Sequence, residues 1–251
     1  MSSNKTAVLL ALVLAGGMAH AAPTNSFVTF DQASGGAQGW KGMQSSDGIG
    51  GTIIDPDFGV DAPAIRTKME NFYIGWWNNT NEAYLGDWSQ LGSVTISLDV
   101  NATMVQWGGE TVPRQLVVEL RDYDNPVYGP WTSVWYSLTT LDVGNGWKNL
   151  SVTIADTKSE TLPAGWGGTG NYNGDNLPKG RTFASVLASV DAILFHTSPP
   201  GEYYGFTYFD VALDNIKVTA VPEPSAYTML FSGFAIVGWM TRRKSRTGSS
   251  M

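Results

Sequence analysis

Val94, Ile96, Leu98 and Val100 alternate with Thr95, Ser97 and Asp99. A period of two places one face of an extended strand against a core and the other in water. Residues 26–30, 116–120, 133–138, 150–154, 192–195 and 211–218 are further strand segments, separated by clusters of Gly, Asn, Asp and Pro. Seven or more short strands with turns between them predict an all-β sandwich or jelly roll. One segment follows another period: Phe183, Val186, Leu187 and Val190 recur at helical spacing after Thr182. Thr182 is a suitable N-cap, so a short helix packed across one end of the sandwich is expected. Within 211–218 the pattern slips. Val211 and Leu213 share one parity, Ile216 and Val218 the other, which is what a β-bulge at Asp214-Asn215 produces.

Residues 160–180 hold Gly165, Gly167, Gly168, Gly170 and Gly174 around Trp166 and Tyr172. Connections this long are uncommon in compact domains, and a surface loop with partial order is expected. No internal repeat at a fixed period is visible.

The two ends are of another character. Lys5, an apolar stretch over 7–15 and the small residues around Ala19-His20-Ala21 form a secretory signal peptide, residues 1–21. A sandwich ectodomain over 22–220 follows, long enough for one domain with its own core. The tail, 221–251, reads Val-Pro-Glu-Pro-Ser, an uncharged run over 226–240, then Arg242, Arg243, Lys244 and Arg246. As a helix the run would cover roughly 23 Å, short of the roughly 30 Å of a bilayer core, with Tyr227 and Trp239 at its margins and the cations as a cytoplasmic stop. Pro222, Glu223 and Pro224, the short apolar run and the Arg-rich end together resemble the PEP-CTERM sorting signal. The resemblance implies a Gram-negative bacterium, an exosortase as processing partner acting near Pro222 to Pro224, transient residence in the inner membrane, and company with exopolysaccharide. An ordinary single-pass anchor that is never cut is the alternative.

Charge and composition narrow the function. The formal charge is −7, but residues 22–220 carry ten basic and twenty-one acidic side chains, so the domain alone is near −11. Phosphate binding requires a basic surface, which excludes nucleic acid as the expected partner. The chain has no cysteine, so its stability rests on burial rather than on disulfides. Once the signal peptide is removed, His196 is the one histidine left, in a strand segment where a structural role is expected. No Gly-x-Ser-x-Gly, no His-Glu-x-x-His and no thiol is available for hydrolysis. A glycoside hydrolase needs only two carboxylates, so a polysaccharide hydrolase or lyase stays as the alternative to a binding protein. Asp55, Asp57 and Asp61 lack the register of a calcium loop and are read as a solvated turn.

The ten tryptophans are the more telling feature. Flat aromatic faces beside amides suit a sugar ring, whose C–H face stacks while polar groups take its hydroxyls. Trp76 and Trp77 adjoin Asn78 and Asn79, and these four residues are the candidate glycan site. On one strand the two tryptophans cannot both point inward.

Phe30-Asp31 with Gly39-Trp40, Tyr84-Leu85-Gly86-Asp87 leading into residues 93–98, and 182–193 followed by Val211-Ala212-Leu213-Asp214-Asn215-Ile216 resemble laminin IV (laminin B) domains. The resemblance implies a galactose-binding-like jelly roll. Cysteines and epidermal-growth-factor-like repeats are lacking, so a basement-membrane role is not implied. Phe30-Asp31 and Asp214-Asn215 also resemble the first-strand and last-strand positions that converge on a structural calcium in carbohydrate-binding jelly rolls. Asp31 and Asp214 are therefore candidate calcium ligands. The other reading is that Asp31 starts a turn and Asp214-Asn215 hydrogen-bonds local backbone at the bulge.

Overall fold

A computed structural model of the chain describes residues 25–221, apart from 34, 47, 125, 128 and 171–175. In chain order its elements are β1 (Ser26–Val28), β2 (Lys41–Gly42), β3 (Gly51–Asp55), β4 (Ala64–Asn71), β5 (Gly75–Asn78), β6 (Ser93–Trp107), β7 (Glu110–Thr111), β8 (Gln115–Asp122), β9 (Thr132–Thr140), β10 (Lys148–Ile154), β11 (Trp166–Thr169), α1 (Phe183–Leu187), β12 (Ala192–His196) and β13 (Thr207–Val221). A 3-10 turn, Glu82–Tyr84, lies between β5 and β6. The signal peptide, the Pro222-Glu223-Pro224 motif and the 226–240 run lie outside the described residues. Among those described, no helix is long and apolar enough to cross a membrane.

The strands form two antiparallel sheets packed as a jelly-roll sandwich, the class expected from the alternation. One has the order β10-β6-β13-β4-β3, with β1 paired to β13 and β7 to β6; the other is β11-β9-β8-β12-β5-β2. β13 organises the first sheet. Along one edge β4 pairs with its residues 207–213 and β1 with residues 216–218, while β6 runs along the other edge. The change of partner falls at Asp214-Asn215, where the register shifts and Asn215 takes φ 50°. The parity slip in the sequence is this bulge.

Inward positions follow the period. Ile96, Leu98, Val211 and Leu213 from the first sheet meet Trp76, Val118, Leu120 and Phe195 from the second, all buried. Trp40 stacks on Phe195 at 5.4 Å between centroids and meets Tyr84 edge-on at 5.5 Å, so aromatic packing does here what disulfides do in many secreted domains. The helix begins where expected: the Thr182 hydroxyl accepts from Ser185 N (3.1 Å) and the Ser185 hydroxyl from Thr182 N (2.9 Å), a capping box. Phe183, Val186 and Leu187 then turn into the core beside β8 and β9.

Part of the expected 160–180 loop is strand β11, paired with β9. Glycine serves there because a Cβ on Gly167 would sit well inside contact distance of the Trp135 indole, and one on Gly168 would press on Leu177. The predicted solvated turn at Asp55 is also tied down: Arg66 bridges Asp55 (3.0 Å) and Asp210 (2.7 Å), with the Phe58 ring 3.8 Å from its guanidinium carbon.

Candidate functional site

Because Trp76, Phe195 and Val118 point into the core, their neighbours on β5, β12 and β8 point away from it. Trp77, Leu194, Glu119, Trp135 and Gly167 are consecutive partners across five strands and form one transverse row on the outer face of the second sheet. His196 lies two residues along β12 on one side of this row, and Arg121 with its partner Ser133 on the other. Walls rise from Phe72 and Tyr73 after β4, from Tyr123 and Trp131 between β8 and β9, and from residues 198–204 between β12 and β13. The result is an open cleft of about 1030 Å³.

Its floor is charged and internally paired. Glu119 is 1% exposed. Its carboxylate accepts from the Ser133 hydroxyl (2.6 Å) and from Arg121 Nη2 (2.7 Å), and His196 Nε2 stands 3.2 Å away without hydrogen-bond alignment. Burial pushes the Glu119 carboxyl up, but His196 and Arg121 beside it more than offset this and hold it at about 2. Burial also opposes the Arg121 charge; Glu119 again outweighs it, and the guanidinium is held above its ordinary value. Arg121 lies over the Trp131 ring at 3.9 Å, and Trp131 meets Tyr123 edge-on at 6.3 Å. One buried carboxylate thus fixes, through Arg121, the aromatic wall.

The opposite wall is pinned from below. Arg114 packs under the Tyr204 ring (4.3 Å) and donates to the Thr207 hydroxyl (2.6 Å) and the Pro113 carbonyl (2.7 Å). Burial, with Glu202 accepting its hydroxyl proton, pushes Tyr204 up to about 12. It therefore remains a neutral hydrogen-bonding phenol.

The four residues of the sequence-derived glycan site divide. Trp77 and Asn79 line the cleft. Trp76 and Asn78 do not present side chains to a ligand: both are 0% exposed. The Trp76 ring fills the core, and Asn78 closes the 38–81 loops by donating to the Gln38 carbonyl (3.0 Å) and accepting from Asn81 N (3.1 Å) and Thr80 N (3.3 Å). Glu119 and Arg121 were not singled out by sequence. Their signal was two charges at alternate positions, Glu119 and Arg121, in a strand whose other residues include Leu116, Val117, Val118 and Leu120. His196 is buried, as expected of a structural histidine, yet it belongs to the cleft floor.

The candidate calcium ligands sit elsewhere. Asp31 follows β1 and accepts from the Thr29 hydroxyl. Asp214 is buried at the bulge, one oxygen accepting from Val60 N (2.9 Å) and the other from Asn215 N (2.7 Å). Burial raises the Asp214 carboxyl, and the charges acting on it are those of Asp99 and Asp61. Each Asp214 oxygen thus accepts one backbone N–H across or within the bulge. Among the described residues, Asp31 and Asp214 belong to no cluster of three His, Cys, Asp or Glu side chains. Asp122, Asp124 and Asp191 do lie within 4.8 Å of one another, but Asp122 is ion-paired to Arg181 and Asp191 accepts from Tyr123 N (2.7 Å).

No protein-family model and no curated protein matches the chain. Among solved structures it is similar to the CBM22-1 xylan-binding domain of Paenibacillus barcinonensis Xyn10C, at 13% identity over 81% of this chain and 99% of that one, with a TM-score of 0.45. It is also similar to the L4b domain of human laminin alpha-2 (14% identity, 80% and 99% covered, TM-score 0.43). A third similar structure is the family 30 carbohydrate-binding module of a Clostridium thermocellum cellulosomal cellulase (17%, 78% and 94%, TM-score 0.40).

Proposed function

We propose that this protein binds polysaccharide without cleaving it, holding a chain in the cleft of the second sheet, and that it does so in exopolysaccharide outside the cell after exosortase removes its tail. The observation that carries the binding reading is the cleft itself: about 1030 Å³, with Trp77, Tyr73, Tyr123, Trp131 and Tyr203 around a floor whose charges are paired with one another. Rings offer stacking faces, and their hydroxyls and the Asn79 amide offer partners to sugar hydroxyls. Carboxylates line the cleft at Glu119 and Glu202. Glu119 is buried, ion-paired with Arg121 and held ionised near a pKa of about 2, so it has no proton to give a glycosidic oxygen, and its burial keeps it from reaching an anomeric carbon. That favours binding over hydrolysis.

The sorting reading rests on Pro222-Glu223-Pro224 and the run beyond it. β13 ends at Val221, which is exposed, so the chain passes into the motif from the surface of the sandwich. Affinity electrophoresis in gels containing host exopolysaccharide tests the function, with reducing-sugar release from the same polymer measured alongside. Retardation of the wild type without sugar release is expected. Sugar release that persists through purification would make the protein an enzyme instead.

A further inference from the structure

At one end of the sandwich β4 stops, β6 turns and β13 begins, and six aromatic side chains gather there: Phe72, Tyr73, Trp107, Tyr203, Tyr204 and Phe206. The register of Asn71 with Thr207 and of Gln106 with Tyr208 brings the three segments together. Five of the six are openly exposed: Phe72 by 56%, Tyr73 by 46%, Trp107 by 60%, Tyr203 by 96% and Phe206 by 45%. Two close contacts tie the segments to one another. The Phe72 and Phe206 rings meet edge-on at 5.1 Å, and the Trp107 indole lies against Gly205, where an added Cβ would come within 3.3 Å of its nitrogen. Phe72, Tyr73, Tyr203 and Tyr204 also line the cleft, whereas Trp107 and Phe206 lie beyond it. An aromatic track therefore leaves the cleft and crosses the rim. Contiguous exposed apolar surface of this kind marks an interaction site.

We propose that this rim is a second contact surface for the same polysaccharide chain, so that the protein grips long chains over a path extending past the cleft. The proposal rests on the polysaccharide reading. Continuity with the cleft assigns the occupant, and two further observations support it. The charges interleaved with the rings are Glu70, beside Tyr208 in the register, Glu110, opposite Trp107, and Glu202, while the Arg114 cation is buried under Tyr204. Such a surface repels anionic headgroups, which favour Lys and Arg. In addition β13 starts at this end and runs for fifteen residues, roughly 45–50 Å, so Val221, which the sorting motif follows in the sequence, lies at the far end of the sandwich from the rim.

The test compares purified wild type, Trp107→Ala/Phe206→Ala and Trp77→Ala on intact host exopolysaccharide and on short, size-fractionated fragments from its partial acid hydrolysis. Neither rim residue lines the cleft, and both are exposed, so the fold is expected to survive; the two single variants replace the double one if its melting temperature falls. Wild type should bind intact polymer more tightly than fragments. The rim variant should lose about tenfold in affinity for polymer, as expected when two ring stacks are removed, and match wild type on fragments. Trp77→Ala should weaken both. A rim variant that equals wild type on intact polymer overturns the rim proposal and leaves the cleft reading standing. Failure of wild type to bind any fraction overturns the polysaccharide reading, and the rim with it. A rim variant that differs from wild type only in flotation with phosphatidylglycerol vesicles or in sedimentation would reassign the surface to membrane or self-association.

Discussion

Glu119→Gln removes the charge beneath the cleft while keeping its size. In the native protein this carboxyl titrates at about 2 against an ordinary 4.5. The unfolded chain therefore takes up the proton first. The stabilisation from the ionised group is fully present above about pH 4.5 and is lost as pH falls towards 2. A displacement of this size is worth about 3 kcal/mol, in line with the cost of breaking a buried ion pair by removing one partner. For a domain of this length that is roughly 6–12 °C in melting temperature. The assay is thermal melting of wild type and Glu119→Gln from pH 7 to pH 2, followed by circular dichroism. Other carboxylates also titrate in this range, so the difference between the two proteins isolates Glu119. The gap should be near its full size at pH 7 and close as pH approaches 2. Parallel acid limbs, with the same gap at both extremes, would refute the reasoning, since the loss would then come from altered packing rather than from the ionised network.

Trp76→Ala should destabilise the fold by about 3–5 kcal/mol, the cost of emptying a buried aromatic site, and urea titration would show it as a lower midpoint. Asp214→Ala should cost about 1–3 kcal/mol by leaving Val60 N and Asn215 N without their acceptor, and the melting temperature should not change between calcium and excess chelator. A rise with calcium that Asp214→Ala abolishes would instead show a metal at the bulge. Intact-mass analysis of protein recovered from the cell surface should find a chain ending near Pro222 to Pro224, and recovery of residues 242–246 there would contradict exosortase processing.

Sequence was most informative where one local rule decides the outcome. Alternation marked β6, the Thr182 cap marked α1, and the parity slip marked the bulge at Asp214-Asn215. β4 was harder because its inward positions, Ile65, Thr67 and Met69, include a polar residue. Thr67 is buried only because it hydrogen-bonds Thr52 on β3 (2.7 Å), a partner that alternation along one strand cannot show. β11 was hidden for a related reason. Its glycines look like loop residues until Trp135 and Leu177 are found occupying the space their side chains would fill. At the cleft, the rule that adjacent tryptophans face opposite ways was legible, but which of them faces out was not. That choice follows from the register of β5 with β12, which sets Trp76 beside Phe195 and Trp77 beside Leu194. Glu119 and Arg121 sit two residues apart on β8, but His196 comes from a distant stretch of chain, and only the pairing of β12 with β8 makes it their neighbour.

The central claim, that the cleft binds polysaccharide through Trp77, is tested most directly by titrating host exopolysaccharide while following tryptophan fluorescence in wild type and Trp77→Ala. A saturable spectral change in wild type, with affinity at least tenfold weaker in Trp77→Ala at unchanged melting temperature, is the expected result. Equal affinity in the two proteins, or no change at saturating polymer, would contradict it.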